Sequence, residues 1–233
     1  AKVLLDLLVQ NPPKHFFCVS TDKAANPVSI MGASKKLMEE VILAYSSVIP
    51  ITTARFANVA FSNGSLLAGF LERMLKKQPL SSPNNVKRFV VSPDESGEIC
   101  LMTCVLGNSG DIYFPKLNED QMVNFGDIGL NFIKENGFEP QVWNTEEDAK
   151  ENVGEALKNN KYPILLFGSD TSGEKLYEEF YTDTEELDME KYSSLGIIKN
   201  SPKRTKDELD QIIIQLENLF TNKVKKKDIS NNI

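Results

Sequence analysis

The spacing of apolar and polar positions predicts a strand, a helix and a second strand near the start of the chain. Phe16-Phe17-Cys18-Val19 is a short apolar run typical of a buried strand, and Ile51 to Phe56 is a β-branched run of the same kind. Between them, Met31 to Tyr45 has apolar residues at helical spacing. This order predicts a βαβ unit with parallel strands, whose carboxyl ends at Thr21 and Asn58 open on the same edge.

The same pattern predicts further elements along the chain. Helices are predicted from Ala1 to Leu8 and over Leu66–Lys77, Pro93–Leu106, Asp127–Asn136, Glu146–Asn159 and Asp207–Phe220. Strands are predicted at Val86–Val91, Ile112–Phe114 and Tyr162–Phe167. Helices alternating with short apolar strands indicate an α/β fold built on a doubly wound parallel sheet.

Composition excludes several classes of protein. Hydrophobic residues make up 41% and charged residues 25%, which is typical of a folded globular chain. The net charge of -7 argues against general binding to nucleic acid or anionic membranes. The sequence contains no apolar run of membrane-spanning length and no signal peptide. We therefore expect a cytoplasmic protein with neither nucleic-acid nor membrane partners.

The three cysteines also indicate a cytoplasmic protein. Cys18, Cys100 and Cys104 are an odd number in apolar settings, which indicates free thiols rather than a disulfide framework. Cys100 and Cys104 fall on one helix face, but no third or fourth ligand accompanies them. We expect no metal site.

Polar residues crowd the end of the first predicted strand, where ligands bind in doubly wound sheets. Asp22 and Lys23 are an adjacent acid and base that could serve proton transfers at neighbouring atoms. On spacing alone, a solvated ion pair is the favoured interpretation, and the hydroxyls of Ser20 and Thr21 could simply cap a turn. Lys35 could reach the same strand end or be an exposed helix lysine.

Several motifs that follow one another along the chain favour a catalytic role for these residues over the ion-pair and capping interpretations. They are Val19–Ala24 with Asn26-Pro27, Met31–Lys35, Arg55–Val59 and Ser62–Ser65, followed by Lys87-Arg88-Phe89 and Gly173–Glu179. Together they resemble the bacterial UDP-N-acetylglucosamine 4,6-dehydratases of polysaccharide biosynthesis, in the extended short-chain dehydrogenase superfamily. The resemblance extends from about Phe16 to Glu179. It implies a Rossmann-like sheet, truncated at its amino end, with a smaller C-terminal substrate-binding lobe.

The expected domains are residues 1–62 for the dinucleotide-binding half, 63–200 for the nucleotide-sugar region, and 201–233 for an amphipathic helix with a basic tail. By resemblance, paired helices form homo-dimers in this superfamily, which makes Met31–Tyr45 a candidate face between copies.

The resemblance also implies roles for single residues near the strand end. Thr21 stands beside the C4 oxygen of the sugar. Asp22 protonates the leaving C6 hydroxyl, and Lys23 takes the C5 proton. Lys35 binds the nicotinamide ribose of NAD or NADP, and Ser20 and Asn58 are assigned to the cofactor with it. Asn58, Ser65 and Arg88 are implied to bind the substrate diphosphate. Glu174 is implied to lie in a segment that closes over the nucleotide, and the alternative for Glu174 is a purely structural carboxylate.

The implied reaction is an internal redox elimination on a UDP-sugar. Hydride leaves C4 for the nicotinamide, water is lost across C5 and C6, and the hydride returns to C6. The C4 ketone acidifies the C5 proton, so one cofactor molecule serves both halves of the cycle.

The sequence departs from the superfamily pattern in two places. Met31 occupies the position of the usual tyrosine base, and a thioether cannot accept a proton. Some members of this dehydratase family also carry methionine there, and our hypothesis is that Asp22 or Thr21, through water, takes the C4 proton. The alternative is that Met31 marks an inactive relative.

The second departure is the absence of a glycine-rich phosphate turn. The chain therefore resembles the C-terminal part of a longer enzyme and is expected to bind NAD(P) poorly alone. Two enzyme alternatives are a nucleotide-sugar epimerase and a dehydratase of another nucleotide sugar. A non-catalytic remnant that binds nucleotide sugar is the alternative from a different class.

Overall fold

The computed structural model describes residues 1–170, 175, 177–199 and 204–221. Contacts divide the chain into two compact units: unit 1 takes residues 1–56, 96–116 and 179–233, and unit 2 takes residues 57–95 and 117–178. This interleaved division differs from the contiguous segments 1–62, 63–200 and 201–233 expected from the sequence. The difference arises because the chain enters unit 2 twice and returns to the sheet of unit 1 each time.

Helices and short strands alternate along the described part of the chain. The helices are α1 (Lys2–Gln10), α2 (Ile30–Ala44), α3 (Leu66–Leu75), α4 (Pro93–Leu106), α5 (Phe125–Glu135), α6 (Glu146–Glu151), α7 (Val153–Lys158) and α8 (Lys206–Thr221). The strands are β1 (Phe16–Thr21), β2 (Ile51–Phe56), β3 (Asn58–Val59), β4 (Leu80–Pro83), β5 (Lys87–Arg88), β6 (Val90–Val91), β7 (Ile112–Pro115), β8 (Val123–Asn124), β9 (Glu139–Trp143), β10 (Lys161–Phe167), β11 (Glu186–Asp188) and β12 (Leu195–Lys199).

Unit 1 is built on a five-stranded sheet in the order β1-β2-β7-β12-β11. Strands β1, β2 and β7 are parallel to one another. Strand β12 pairs antiparallel with β7, and β11 pairs antiparallel with β12. Thr21 lies opposite Phe56, so β1 and β2 end at the same edge of the sheet. The predicted βαβ unit is confirmed, and its strand ends form one edge.

Apolar residues cover both faces of this sheet. One cluster joins Ile51 of β2 to helices α1, α2 and α8, and another joins Ala54 to helix α4. Successive residues of β1 serve the two clusters in turn, with Phe16 and Cys18 in the first and Phe17 in the second. Helices on both faces confirm the predicted doubly wound α/β class.

Unit 2 contains a three-stranded parallel sheet in the order β4-β10-β9. Its core includes Phe70 of α3, Ile133 of α5 and Ile164 of β10. Two further pairs of short strands, β3 with β6 and β5 with β8, complete its described strands.

Two predicted elements are divided in the structure. The strand expected over Val86–Val91 is two short strands, because its first part pairs with β8 and its second with β3. The helix expected over Glu146–Asn159 breaks at Asn152, whose side-chain amide donates to the backbone oxygen of Asp148. Strands β3, β4, β8, β9, β11 and β12 were not predicted from the sequence.

Part of the predicted homo-oligomer face is covered within the chain. Val41 and Ile42 of α2 and Tyr45, which directly follows α2, are buried in a cluster that includes Leu209 of α8. Homo-oligomer formation through Met31–Tyr45 therefore stays a prediction. Among the described residues, no helix combines the length and apolar character needed to cross a membrane.

Candidate functional site

The end of β1 forms a buried carboxylate site. Thr21 ends the strand, and Asp22–Ala24 follow as a single 3₁₀ turn. Asp22 is only 1% exposed, and its Oδ1 accepts hydrogen bonds from the Thr21 hydroxyl at 2.8 Å and the Lys23 ammonium at 3.0 Å. Asp22 Oδ2 is buried with no hydrogen-bond partner in the described part of the chain. Because an unpartnered buried oxygen is costly, it indicates a ligand contact.

Helix α2 begins beside this turn. Ser29 caps the helix by accepting a hydrogen bond from the Gly32 amide at 3.1 Å. Gly32 allows a close approach, since a Cβ there would lie 3.1 Å from the backbone oxygen of Lys23. The structure thus brings Thr21, Asp22 and Lys23 to the first turn of α2.

The next residues of α2 lie at the protein surface. Met31 is 51% exposed, so it is not a core side chain. Lys35 follows one turn later, is exposed, and has no ion pair among the residues that the structure describes. Its neighbour Lys36 instead approaches Glu39 Oε1 at 3.3 Å. Of the two adjacent lysines, Lys35 is therefore the one left available to a ligand.

Ser20 has a buried partner. It is 3% exposed, and its hydroxyl donates to Glu39 Oε2 at 2.6 Å. Arg55 of β2, also buried, donates to both oxygens of the same carboxylate, at 3.0 and 2.6 Å. The cofactor role of Ser20 stays a prediction, and its hydroxyl is already engaged. Sequence reasoning placed Arg55 in a motif but assigned no role to Arg55 or Glu39.

Glu39 and Arg55 stabilise each other in their charged forms. Burial by itself would raise the pKa of Glu39, but the hydrogen bond and charge of Arg55 outweigh it and leave that pKa below 4.5. Burial opposes the charge of Arg55 in the same way, and its carboxylate partners raise its pKa overall. Both groups are therefore ionised at neutral pH.

The second group of predicted residues lies in unit 2, around the start of α3. Ser65 caps α3 by accepting from the Ala68 amide at 3.3 Å, and it borders a cleft of about 290 Å³. Asn58 borders the same cleft and donates its side-chain amide to the Phe89 backbone oxygen at 3.2 Å. A helix start lined by hydroxyl and amide groups favours an anion. Ser62, Asn63 and Gly64 also line the cleft and had no predicted role of their own.

Arg88 is not among the residues that line this cleft. It is 4% exposed and donates to the backbone oxygen of Lys87 at 2.8 Å. Lys87 borders a separate cleft of about 570 Å³, with Asn84 and Tyr177 on its wall. Sequence reasoning did not predict that cleft, because its walls come from distant segments. Glu174 lies outside the described residues.

Comparison with known proteins places these residues in a family context. The model of the family described as polysaccharide biosynthesis protein matches residues 1–200. The chain is 28% identical over 213 residues to the capsular polysaccharide biosynthesis protein CapD of Staphylococcus aureus, covering 88% of the chain and 31% of that protein. It is 26% identical over 201 residues to an uncharacterised membrane protein of Methanocaldococcus jannaschii, covering 84% of the chain and 55% of that protein.

A solved structure supports the fold. A double mutant of the dTDP-glucose 4,6-dehydratase DesIV of Streptomyces venezuelae, solved with NAD and DAU bound, matches with a TM-score of 0.57 and 16% sequence identity. The match covers 78% of this chain and 54% of DesIV. The chain spans between about a third and about half of the length of the two curated relatives.

Proposed function

The chain belongs to the polysaccharide biosynthesis protein family, and from this premise we propose that it dehydrates a UDP-N-acetylhexosamine across C5 and C6, with UDP-N-acetylglucosamine as the first candidate. One observation carries the proposal. Asp22 is a buried carboxylate with Lys23 on one oxygen and no partner on the other. An acid and a base fixed side by side suit an elimination, which adds one proton and removes another at adjacent carbons.

The proposed roles are those that the family resemblance implies, and the contacts at the strand end support them. The Asp22 carboxylate is first protonated by the C4 hydroxyl, directly or by way of Thr21 and water, and its Oδ2 then donates this proton to the departing C6 hydroxyl, so that the C6–O bond breaks and water leaves. Lys23 releases its ammonium proton to solvent and accepts the C5 proton as a neutral amine. Its 3.0 Å contact with Asp22 holds the two groups at neighbouring positions. Thr21, whose hydroxyl contacts Asp22, binds the C4 oxygen. Because the Met31 thioether is not basic, the C4 hydroxyl proton passes to Thr21 or Asp22 through water.

A nicotinamide cofactor fits part of the site. NAD or NADP, when bound, supplies the acceptor and later the donor of the hydride. Lys35 is exposed, has no ion pair in the described ranges, and lies on the helix that begins beside Asp22, so it suits a ribose hydroxyl. The Ser20 hydroxyl is engaged by Glu39 and suits this role less well.

The residues proposed to bind the diphosphate of the substrate lie in unit 2. The cleft at the start of α3 offers backbone amides and the Ser65 hydroxyl, both of which bind phosphate oxygens in proteins. Asn58 borders it, and the buried guanidinium of Arg88 is proposed to add charge to the nucleotide. Glu174 is proposed for the segment that closes over the nucleotide.

Product analysis in deuterated water tests the proposal. The natural polypeptide that contains residues 1–233 is incubated with NAD and UDP-N-acetylglucosamine, and products are followed by proton NMR. A 4-keto-6-deoxy sugar with deuterium at C5 is expected. A C4 epimer that keeps its C6 hydroxyl would identify an epimerase, and saturation-transfer signals without product would identify a non-catalytic sugar-binding protein. Either of these two outcomes would overturn the proposal.

A further inference from the structure

We propose that the buried Arg55–Glu39 pair is a positioning device for the candidate site, which holds helix α2 in fixed rotation against the strand that ends at Thr21-Asp22-Lys23. The inference rests on the proposed function, because it assigns that rotation to the placement of Lys35. Neither Arg55 nor Glu39 contacts the reacting atoms in this scheme, so both are positioning residues.

Glu39 is the point at which three elements meet. It lies on α2 and is fully buried. Its Oε2 accepts from Ser20 of β1 at 2.6 Å and from Arg55 Nε of β2 at 3.0 Å, and its Oε1 accepts from Arg55 Nη2 at 2.6 Å. Ser20 and Arg55 are opposite partners in the β1–β2 register. One carboxylate therefore ties α2 to two strands immediately before their carboxyl ends.

The contact between Glu39 and Arg55 restricts the rotation of α2 about its axis, and the spacing along α2 relates this rotation to Lys35. Lys35 lies four residues before Glu39, which is about one helical turn. A bidentate arginine–carboxylate contact restricts orientation as well as distance. Because Glu39 cannot rotate away from Arg55, the direction in which Lys35 leaves the helix is set. The same anchor acts on β1 through Ser20, the residue directly before Thr21.

A second carboxylate neutralises the charge of Arg55 but does not lie on α2. Glu185, from the segment before β11, accepts from Arg55 Nη1 at 2.9 Å and from Nη2 at 2.7 Å. It also accepts from the Thr182 amide at 2.8 Å. Among the described residues, it reaches α2 only through Lys36, at 3.9 Å. Glu185 thus resembles Glu39 in burial and in its bond to Arg55, but it belongs to a different element.

A buried ion cluster needs a reason other than stability. Removing charges from water costs about as much as their attraction returns, so apolar residues of the same volume often give equal or greater stability. Arg55 is fully buried and both carboxylates are nearly so. Fixed orientation of α2 is an advantage that apolar packing at this position would not supply.

The two carboxylates form a matched pair for the experiment. Glu39→Gln and Glu185→Gln each remove one buried negative charge from Arg55 and should lower the melting temperature to a similar degree. Hydrogen–deuterium exchange is then measured on the chain itself. We expect exchange in residues 20–25 and 30–36 to rise at least fivefold more in Glu39→Gln than in Glu185→Gln, which should instead affect residues 180–188.

Kinetics on the natural polypeptide give the second measurement. Glu39→Gln should lower kcat at least tenfold with the KM for the UDP-sugar changed less than threefold. The residues proposed to bind the diphosphate remain, whereas Lys35, proposed for the cofactor, is displaced. Glu185→Gln should keep kcat within twofold of wild type at equal loss of melting temperature. Should the wild-type polypeptide turn over no nucleotide sugar, the proposed function fails and the exchange comparison alone decides the positioning role.

Equal exchange patterns or equal loss of kcat in the two variants would overturn the inference, since the cluster would then be only structural. If Glu39→Gln does not fold, Ser20→Ala replaces it. That variant removes one hydrogen bond to Glu39 and leaves the Arg55 contact intact. It should raise exchange in residues 20–25 above that of wild type, and unchanged exchange there would count against the proposal.

Discussion

The strand end in unit 1 and the helix start in unit 2 differ in burial and in the partners of their polar side chains. Asp22 in unit 1 is buried, and one of its oxygens is held by two neighbouring side chains. Ser65 in unit 2 borders an open cleft, and its hydroxyl binds only a local backbone amide among the contacts described. Burial strengthens the interactions of a charge, which suits the proton transfers proposed for Asp22, whereas backbone amides beside a cleft suit the anion proposed for unit 2.

The two regions also differ in what they cost the folded chain. Asp22 Oδ2 is a buried, unpartnered acceptor, which is destabilising. In unit 2, Phe61 has a positive φ of 56° and Gly64 a φ of 78°, and only the glycine adopts this region without strain. A cost at a strand end or turn, outside the core, is typical of positions kept for function.

The largest expected effect is on turnover. Asp22→Asn keeps the size of the side chain but removes the proton donor, so we expect kcat to fall about 100-fold or more. Stability should be unchanged or higher, since a half-partnered buried charge is lost. Product formation by NMR and thermal unfolding measure the two effects. Asp120→Asn, at an exposed acid of unit 2, is the control, and wild-type turnover in Asp22→Asn would remove Asp22 from the mechanism.

The next comparison uses one helix glycine from each region. Gly32→Ala places a methyl group 3.1 Å from both Lys23 O and Pro27 Cβ, so the loop that holds Lys23 must shift. We expect about 1–2 kcal/mol of destabilisation and reduced kcat. Gly69→Ala meets no atom within 4 Å and should stabilise α3 by about 0.5–1 kcal/mol. Denaturant unfolding measures both, and equal changes would contradict the close approach at Gly32.

A smaller effect separates the two helix caps. Ser29 and Ser65 each accept a hydrogen bond from the amide three residues later, so Ser→Ala at either should cost about 1 kcal/mol. Only Ser65→Ala is expected also to raise KM for the UDP-sugar, by about threefold to tenfold, because Ser65 borders the proposed diphosphate cleft. Unfolding curves and initial rates distinguish the two variants. A KM increase in both would assign no special role to the unit 2 cleft.

The smallest expected effect is a loss of folding stability in acid. It is absent near neutral pH and appears only below pH 4.5. The pKa of Glu39 is lowered in the folded chain, so its stabilisation is complete above 4.5 and is lost as the pH falls through the folded value. In unit 2, Glu72 and Glu146 also have lowered pKa values because of lysine hydrogen bonds, but both are solvent-exposed and contribute little.

We therefore expect amide NMR signals of unit 1 to lose intensity at a higher pH than the fluorescence of Trp143 changes, since Trp143 is the single tryptophan and lies in unit 2. In Glu39→Gln, the dependence of unit 1 stability on pH below 4.5 should become shallower. If Trp143 responds first, the acid-sensitive carboxylates lie outside the Arg55 cluster.

Local pattern was sufficient for the elements that carry the candidate acid and base. Strand β1, helix α2 and strand β2 each have a periodicity readable within one short window, and all three form as predicted. Strand β11 was missed because Glu186–Asp188 is short and partly exposed, and its pairing depends on Ile198 and neighbouring residues of β12. Short edge strands have little signal before their partners are known.

The candidate site was also predictable from the sequence only in part. The sequence placed Thr21, Asp22 and Lys23 at a strand end, and the structure puts them in contact with one another there. It could not show that Asp22 is buried, that Ser20 is engaged by Glu39, or that Lys35 rather than Lys36 is available. Those features depend on side-chain orientation, which differs between adjacent residues of the same type.

By itself, the sequence determined the α/β class and the order of the central βαβ unit, because periodicity acts over a few residues. Its motifs, through their resemblance to a known family, indicated Asp22 and Lys23 as the candidate acid–base pair. Only the tertiary structure decided the interleaved units and the Arg55 cluster. Arg55 and Glu185 are 130 residues apart along the chain, and no local pattern encodes a contact over that separation. Their attraction has an effect only after the sheet has formed and excluded water from both groups.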